Sequence, residues 1–387
     1  MKQKFPLRKL LKIYREYVNF SLEEQSKTIR FSLGVKELKL KEKTIKKFVS
    51  IYNVPTFVEF YTRLRDIIFS NNIFEIVEEG RLDNWYMWYL VSFLLDKNYA
   101  ILSKKGKLEF KLKWIEDLLV KKRTFNEIKM KIQDLLKIPI EKYLRLPSIE
   151  LLKQIRTNGF RFKPYYDQWP ISLESTMTLI SKILEHYPFK SKFIFLGDDD
   201  FVSIYLSMVE DEFSSIVIDI DNELLETIDF FSNHFNFNIK TKRMNVLKKG
   251  KKEKLDDLVL GFSTNPPYTL EGVTSFIKCG LNFFNKYGGR IFLGLGDEIM
   301  GTRYLLMQKF FTKNGLIIRE VVRGAIHYPF MIFHENDKRI FEKMKKFIDE
   351  EVIKSHYQIN GDIWILDYIP WKVKLIKLKG MKIYSYI

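Results

Sequence analysis

An apolar run that ends in one glycine and three consecutive carboxylates constrains the fold of this chain more than any other feature. The run reads Phe193-Ile194-Phe195-Leu196-Gly197-Asp198-Asp199-Asp200. Four apolar residues without alternation are typical of a buried strand in a parallel sheet, and the glycine predicts a tight turn into a helix over 201–209. Nucleotide-binding folds place small residues at such a turn, where the backbone approaches the ligand. Because neighbouring carboxylates repel one another, we expect a cationic ligand at this strand end.

From residue 192 onward, strand patterns alternate with helix patterns, and most of the strands end in polar residues. The predicted strands span residues 193–196, 215–221, 239–244, 258–264, 290–296, 316–322 and 363–368. A helix is predicted over 222–235, with Asn222 as its N-cap. Repeated βα units of this length predict an α/β fold with a doubly wound, Rossmann-like sheet that binds its ligands at the carboxyl ends of the strands.

The first part of the chain has a different pattern. An apolar helix is predicted over 84–95, and a hairpin over 99–110 that turns at Lys105-Gly106. A helix followed by a basic hairpin is the outline of a winged-helix unit, which serves here more readily for docking or dimerisation than for DNA binding. We therefore predict an N-terminal winged-helix-like α+β domain over 1–150 and a catalytic domain over 151–387.

Composition bounds the class of protein. The 387 residues include one cysteine, Cys279, which excludes an intramolecular disulfide, and no zinc-ligand spacing is present. The first residues lack an apolar signal region and no run is long enough for a membrane span, so a cytoplasmic protein without membrane contact is expected. Residues 1–150 hold 31 basic and 19 acidic side chains, or +12 of the total +17. A lysine-rich surface, also typical of proteins from hot environments, and a weak nucleic-acid patch explain this excess equally well.

Two polar residues at later strand ends are candidates for holding a nucleoside. Asp219 lies about twenty residues after the Gly197 turn, where an acid can accept hydrogen bonds from both ribose hydroxyls. The alternative is that Asp219 or Asp221 caps the next helix. Asn245 follows the third strand, where an adenine amino group could be read, or it is a simple loop residue.

A second motif, Asn265-Pro266-Pro267-Tyr268, follows the fourth strand. Two prolines remove backbone donors and hold the chain in an extended turn. The Asn265 side chain and the carbonyls are then available to accept from an amine, and Tyr268 offers a flat apolar wall. A rigid surface turn without a ligand is the alternative.

The triple acid also admits other interpretations. It would suit a metal ion or a solvated loop, but magnesium sites combine carboxylates with phosphates, and no phosphate-binding loop precedes the strand. No metal is therefore predicted.

Together, these motifs resemble two known groups of proteins. The order of glycine turn, ribose acid and Asn-Pro-Pro-Tyr is similar to class I S-adenosylmethionine-dependent methyltransferases, among them those that methylate amino groups of bases. The sequence Gly197-Asp198-Asp199-Asp200 is instead similar to the G-D-D-D signature of the branched-chain polyamine synthases, the N4-bis(aminopropyl)spermidine synthases. The segment Tyr166-Asp167-Gln168-Trp169-Pro170 also resembles the entry to that family's catalytic domain. The resemblance extends over residues 160–370.

This resemblance implies an aminopropyltransferase with a winged-helix-like N-terminal domain. Decarboxylated S-adenosylmethionine would be the co-substrate, the secondary amine of spermidine would be the acceptor, and methylthioadenosine would be a product. The resemblance implies no prosthetic group. It also implies that the protein is a homodimer. From the residues themselves we assign Asp199 as the catalytic base, because it occupies the position of the second glycine of a G-x-G turn and so faces the reactive end of the donor. Asp198 and Asp200 would attract the polycation. The other predicted site residues are Gly197, Asp219, Asn245, Asn265 and Pro266 around the donor, and Tyr268, Asp167 and Glu298 around the acceptor.

Two other functions remain open from the sequence. The Asn-Pro-Pro-Tyr turn and the basic first domain would also suit a nucleic-acid amino-methyltransferase, although three acids at the site oppose a phosphate backbone. A non-enzymatic winged-helix regulator ranks behind it because residues 1–150 show no evident recognition helix. His327 is expected to be structural and to follow the sixth strand.

Overall fold

The computed structural model describes residues 6–32, 46, 54–70, 72–78, 84–156, 160–190, 192–247, 259–296, 300–329, 335–356 and 359–371. They form two compact units. The first comprises Met1–Lys121, Lys286–Gly288 and Ile369–Ile387, and the second Lys122–Asn285 and Gly289–Tyr368, as far as these ranges are described. The predicted domain boundary between residues 150 and 151 stays a prediction.

The described part of the first unit is a cluster of helices with a β-hairpin. Its helices are Leu7–Ser32, Phe57–Ile68, Ile73–Glu78, Asn84–Asp96 and Lys113–Glu116, and its strands are β1 (Ala100–Leu102) and β2 (Leu108–Phe110). Buried aromatic side chains form its core, among them Tyr17, Phe60 and Phe93. The predicted helix and antiparallel hairpin are both present, and Gly106 supplies the positive φ of 79° in the turn. The winged-helix assignment stays a prediction.

The second unit contains a seven-stranded sheet. Its strands are β3 (Phe193–Leu196), β4 (Ser214–Asp219), β5 (Asn238–Arg243), β6 (Gly261–Thr264), β7 (Gly289–Leu295), β8 (Leu316–Tyr328) and β9 (Ile359–Tyr368). Its α-helices are Phe125–Leu136, Ile149–Leu152, Leu173–His186, Val202–Val209, Asn222–Phe235, Leu270–Leu281, Tyr304–Lys313, Glu335–Met344 and Glu350–His356. Short 3-10 helices occupy Glu141–Tyr143, Pro164–Tyr166 and Gly301–Arg303.

The strand order of this sheet is β5-β4-β3-β6-β7-β9-β8. The pairs from β5 to β7 are parallel, whereas β9 runs antiparallel between β7 and β8. Strand β8 therefore runs in the direction of β7, and its last residues lie at the same edge as the ends of the parallel strands. The order reverses direction between β3 and β6, which makes that edge the expected ligand site. The predicted α/β, doubly wound, class I methyltransferase-like fold is confirmed.

Two local predictions are wrong. The N-cap of helix Asn222–Phe235 is Asp221, whose carboxylate accepts from the Glu223 amide, so Asn222 is the first helical residue. Strand β8 does not end at Val322 but continues to Tyr328, and His327 lies within it. The extension follows from irregular pairing with β9 around Gly324, which has a φ of +60°. Glycine is the residue that adopts this conformation without strain.

A buried ion pair joins β7, β8 and β9 at the edge opposite the ligand edge. Asp367 is fully buried and accepts from Arg290 Nε at 2.7 Å and Nη2 at 3.1 Å, and from Arg319 Nε at 2.7 Å. Although burial acts to raise the pKa of Asp367, these two guanidinium groups hold it below its usual value. Charges buried this deeply are tolerated only when they are paired. Within the described part of the chain, no helix is both long enough and apolar enough to cross a bilayer.

We expect Asp367→Ala to lower the free energy of unfolding by about 3–5 kcal/mol, because Arg290 is left buried without its carboxylate. Urea unfolding at pH 7 measures the change. The control, Arg319→Met, removes the more exposed partner and should cost about 1 kcal/mol or less. Equal losses in the two variants would contradict the interpretation.

Candidate active site

The candidate residues meet at the carboxyl edge of the sheet because their strands are neighbours there. Leu196, the last residue of β3, lies opposite Ile218 of β4 and Thr264 of β6. The Thr264 hydroxyl donates to the Leu196 carbonyl at 2.8 Å, which holds the ends of β3 and β6 together. The glycine turn, Asp219 and the Asn-Pro-Pro-Tyr turn are therefore adjacent.

Gly197 forms the turn after β3 with a φ of +72°, a conformation that side chains other than glycine rarely adopt. Its amide donates to the Ile218 carbonyl at 3.0 Å. A Cβ atom at Gly197 would lie 3.9 Å from Asp219 Oδ2. The bare glycine and the Asp219 carboxylate thus face the same space.

Asp198 caps the helix that follows the turn. It is 2% exposed, and its carboxylate accepts from the Val202 amide at 2.9 Å, the Ser203 amide at 3.2 Å and the Ser203 hydroxyl. Burial raises the pKa of Asp198 well above its usual value, against the effect of these bonds, and the charge of Asp200 adds to the rise. The sequence did not predict this capping role.

Asp199 is half-buried among other carboxylates. Burial raises its pKa well above the usual value, and the negative charges of Asp200 and Asp219 raise it further. A carboxylate in this environment binds a proton readily or attracts a cation. Asp199 is therefore suited to act as a base toward an ammonium group.

Asp200 lies at the centre of the site and is 3% exposed. Its Oδ1 accepts from the Ile171 amide at 2.7 Å, and its Oδ2 accepts from Asn265 Nδ2 at 3.2 Å. Burial raises the pKa of Asp200 to about 6, and these two bonds limit the rise. The carboxylate thus changes its charge within a range of pH that experiments reach without unfolding most proteins.

The Asn265 amide meets two tyrosine hydroxyls on its carbonyl side. Tyr268 Oη lies 3.2 Å and Tyr328 Oη 3.1 Å from Asn265 Oδ1, and the two Oη atoms are 2.8 Å apart. We call Asn265 Oδ1, Tyr268 Oη and Tyr328 Oη the oxygen triangle. The sequence predicted an Asn265 side chain available to an amine, whereas the structure gives it bonds to Asp200 and to both tyrosines.

Tyr328 and two glycines are the parts of this network that sequence reasoning missed. A Cβ atom on Gly294 of β7 would overlap Asn265 Oδ1, and one on Gly361 of β9 would lie 2.6 Å from Tyr268 Oη. Neither position tolerates a side chain without displacing the triangle. The available signal was Gly294 inside the apolar pattern of β7, because a glycine within a strand marks a close approach of another group. Gly361 stands between Asn360 and Asp362, before the strand predicted over 363–368, and gave no such signal.

The two candidate nucleoside residues lie on β4 and just after β5. Asp219 Oδ1 accepts from the Asp221 amide at 2.8 Å, and burial raises the pKa of Asp219. Asn245 Oδ1 accepts from the Leu247 amide at 2.9 Å. Asp219 Oδ2 faces the glycine turn, as a ribose contact requires. The assignments of Asp219 to ribose and Asn245 to adenine stay predictions.

The segment before helix Leu173–His186 is tied to the turn that follows β4. Lys163 Nζ and Gln168 Nε2 bind the Asp221 carboxylate at 2.6 and 3.0 Å. Although burial acts to raise the pKa of Asp221, these bonds hold it below its usual value. Asp167 is exposed and accepts a hydrogen bond from Trp169 Nε1 at 3.1 Å. Its negative charge contributes to the raised pKa of Tyr268. Lys163 is a further residue that the sequence did not single out, and Gln168 was quoted there only as part of the segment Tyr166–Pro170.

Three other predicted residues have different outcomes. Glu298, predicted at the acceptor, and its neighbour Asp297 lie outside the described residues. Pro266 is buried within the turn. The His327 amide donates to the Ser175 hydroxyl, its carbonyl accepts from the Ser172 amide, and its Nδ1 lies 2.8 Å from Asn360 Oδ1. His327 thus joins β8 to helix Leu173–His186, in keeping with a structural role.

A separate polar cluster lies where helix Leu173–His186 meets β8. Glu185, His186 and Glu320 are close enough to hold a metal ion. Lys182 Nζ, however, binds both carboxylates at 2.8 and 2.7 Å, and His186 Nε2 binds Glu320 at 2.6 Å. Lys182 already supplies the positive charge, so we interpret the cluster as structural.

Residues 151–362 match the family described as the branched-chain polyamine synthase A C-terminal domain. The chain is 26% identical over 184 residues to N4-bis(aminopropyl)spermidine synthase of Methanocaldococcus jannaschii, covering 46% of this chain and 52% of that protein. It is 30% identical over 140 residues to an uncharacterized protein of the same archaeon, covering 35% of this chain and 34% of that protein. The matches therefore span about half of the length of the synthase and about a third of the length of the uncharacterized protein.

Among solved structures, the chain is similar to the C9 mutein of the branched-chain polyamine synthase from Thermus thermophilus, in complex with N4-aminopropylspermidine and 5'-methylthioadenosine. The TM-score is 0.44 at 13% identity, over 92% of this chain and 93% of that one. The branched-chain polyamine synthase from the same organism gives a TM-score of 0.44 at 12% identity, over 87% and 94%.

We expect Asp198→Ala to lower the free energy of unfolding by about 1–2 kcal/mol, because the helix Val202–Val209 loses its N-terminal acceptor. The matched variant is Asp199→Ala, which removes a carboxylate that its negative neighbours repel, and it should leave the stability unchanged or higher. Urea unfolding of both variants at pH 7 makes the comparison. An equal loss in both would contradict the division of roles between the two adjacent acids.

Proposed function

This chain belongs to the family of the branched-chain polyamine synthase A C-terminal domain, and from that premise we propose that it is an aminopropyltransferase. It would move aminopropyl groups from decarboxylated S-adenosylmethionine to the secondary amine of spermidine. The products would be methylthioadenosine and branched N4-bis(aminopropyl)spermidine. The observation that supports this most is the run of three carboxylates after β3, each with a pKa raised by burial.

The donor would lie over the glycine turn. Asp219 Oδ2, which faces Gly197, is placed to accept from the ribose hydroxyls. Asn245, one strand further, would read the adenine amino group, and Asn265 with Pro266 would border the reacting end. A nucleoside in this position needs no prosthetic group, and we propose none.

The charge at Asp199 would select the decarboxylated donor. Asp199, Asp200 and Asp219 would repel a donor that still carries its own carboxylate, whereas they would attract the amine of the decarboxylated donor. The same repulsion acts on ordinary S-adenosylmethionine and on a phosphate backbone. For this reason we do not favour the nucleic-acid amino-methyltransferase.

The acceptor chemistry follows from the raised pKa of Asp199. Spermidine arrives with its secondary amine protonated, and the Asp199 carboxylate takes one proton from it. The nitrogen lone pair then forms a bond to the aminopropyl carbon next to the sulfonium. The carbon–sulfur bond breaks, its electron pair goes to sulfur, and neutral methylthioadenosine leaves. Holding amine and carbon in line supplies a large part of the acceleration.

The other acids would have distinct tasks. Asp200, adjacent to the Asn265 amide, would attract the polycation, and exposed Asp167 would extend the negative surface toward solvent. Tyr268 would form a wall beside the acceptor. We now propose that Asp198 acts through the helix that it caps and not by contacting the polycation.

Several further features stay predictions. These are the homodimer, the cytoplasmic location, the winged-helix character of the N-terminal domain, its weak binding to nucleic acid, and the contact of Glu298 with the acceptor.

The function is tested by incubating the full chain with decarboxylated S-adenosylmethionine and spermidine and measuring methylthioadenosine. We expect release from the wild type and a fall in kcat of about 10²–10⁴ in Asp199→Asn, which keeps the shape but removes the proton acceptor. No methylthioadenosine from the wild type would overturn the proposed function.

The matched control for this prediction is Asp219→Ala. Methylthioadenosine binding, measured by calorimetry, should weaken about tenfold or more, because one charged hydrogen-bond acceptor for the ribose is lost. In Asp199→Asn it should change little. The reverse pattern would exchange the two roles and contradict the assignment.

We also expect the KM for spermidine to rise as the pH falls through about 6, because Asp200 takes up a proton below its raised pKa and no longer attracts the polycation. Steady-state kinetics between pH 5 and pH 8 measure the KM for spermidine over roughly the range in which the Asp200 carboxylate changes its charge. In Asp200→Asn the KM should be high and nearly independent of pH there. A pH-dependent KM of the wild-type form in this variant would assign the titration to another group.

A further inference from the structure

The oxygen triangle joins three parts of the chain that are far apart in sequence. Asn265 and Tyr268 come from the turn after β6, and Tyr328 is the last residue of β8. Strands β7 and β9 lie between β6 and β8 in the sheet. Contact across them is possible because Gly294 and Gly361 present no side chain beneath the triangle.

The triangle has fewer hydrogen atoms than contacts. Three oxygen pairs lie within 2.8–3.2 Å, but the two phenols supply one hydrogen each and the amide oxygen supplies none. One contact therefore always joins two oxygens without a hydrogen between them. Among the described residues, no donor other than these two phenols meets the triangle, so its hydroxyl oxygens keep lone pairs that can accept an N–H from a ligand.

The charges around the triangle specify what kind of donor would complete it. Asp200 binds the Asn265 amide at 3.2 Å, and its charge acts on both tyrosines. Asp362 and Asp167 also act on Tyr268. Burial holds the pKa of each phenol above its usual value, so both hydroxyls stay neutral. A cationic N–H donor is favoured in such surroundings.

We propose that the oxygen triangle accepts one N–H of the reacting secondary amine of the polyamine, and that Tyr328 is a specificity-determining residue for this amine. The inference rests on the proposed function and deepens it. Tyr328 thereby contacts the substrate directly, beside the carboxylates that remove the other proton.

The proton balance of the reaction supports this arrangement. A protonated secondary amine carries two N–H bonds. One proton goes to the aspartate, the other N–H stays with the triangle, and the freed lone pair attacks the aminopropyl carbon. As the carbon–nitrogen bond forms, positive charge develops on nitrogen and its remaining N–H becomes a stronger donor. The triangle therefore stabilises the transition state more than the ground state.

The second transfer provides an internal comparison. After one transfer the acceptor nitrogen is tertiary, and its protonated form carries a single N–H, which the aspartate must remove before attack. The attacking tertiary amine then has no N–H for the triangle. Tyr328 should thus assist the first transfer and contribute little to the second.

The test compares Tyr328→Phe with the wild type on two acceptors, spermidine and N4-aminopropylspermidine, in the full chain. We expect kcat/KM for spermidine to fall about tenfold or more, the effect of losing one charge-assisted bond. For N4-aminopropylspermidine it should change less than about twofold, within the scatter of substitutions away from the chemistry. A folding defect or poor donor binding would slow both reactions equally.

The matched control is Tyr205→Phe, which removes a hydroxyl bonded to the Ser148 carbonyl and lies outside the triangle. It should slow neither acceptor selectively. If Tyr328→Phe does not fold, Tyr268→Phe removes another oxygen of the triangle and carries the same expectation.

An equal loss on both acceptors, or no loss on spermidine, would overturn the inference while leaving the proposed function intact. A wild type that releases no methylthioadenosine from either acceptor would overturn the proposed function and the inference with it.

Discussion

The candidate site depends on one buried carboxylate. Asp200 accepts from the backbone of Ile171 on one side and from the Asn265 side chain on the other. It thus fixes the segment before helix Leu173–His186 and the Asn-Pro-Pro-Tyr turn relative to the end of β3. Two donors only partly compensate for the lost hydration of the charge, which is why its pKa stays raised. The same group that organises the site therefore keeps it reactive toward protons and cations.

The net charge of the chain is a poor guide to this site. The sequence carries a net charge of +17, yet the carboxyl edge of the sheet gathers Asp199, Asp200 and Asp219 in a desolvated group. Over a few ångströms in a medium of low polarity, neighbouring charges outweigh distant ones that water and salt screen. A polycationic ligand responds to these neighbours, and the lysine-rich remainder affects it little.

The fold was predictable from sequence because its strand ends carry strong local signals. The glycine turn after β3, the acid at the end of β4 and the two prolines after β6 all lie where the structure has strand ends. The three acids of the triple-acid run look alike in sequence, but successive residues of a turn point in different directions. One caps a helix, one is half-buried and one bridges two segments. Tyr328 could not be assigned, because its place depends on the order of β7, β9 and β8, which pairing across the whole sheet decides.

The antiparallel insertion of β9 also has a consequence for how the chain matures during synthesis. Among the strands that the structure describes, β8 pairs only with β9, and one edge of β7 pairs with β9 as well. A ribosome adds roughly 5–20 residues per second, so both edges stay open for seconds after β8 has emerged. Open strand edges are templates for pairing with other chains. The segment Ile359–Tyr368 thus ends the period in which the nascent sheet is most exposed to misassembly.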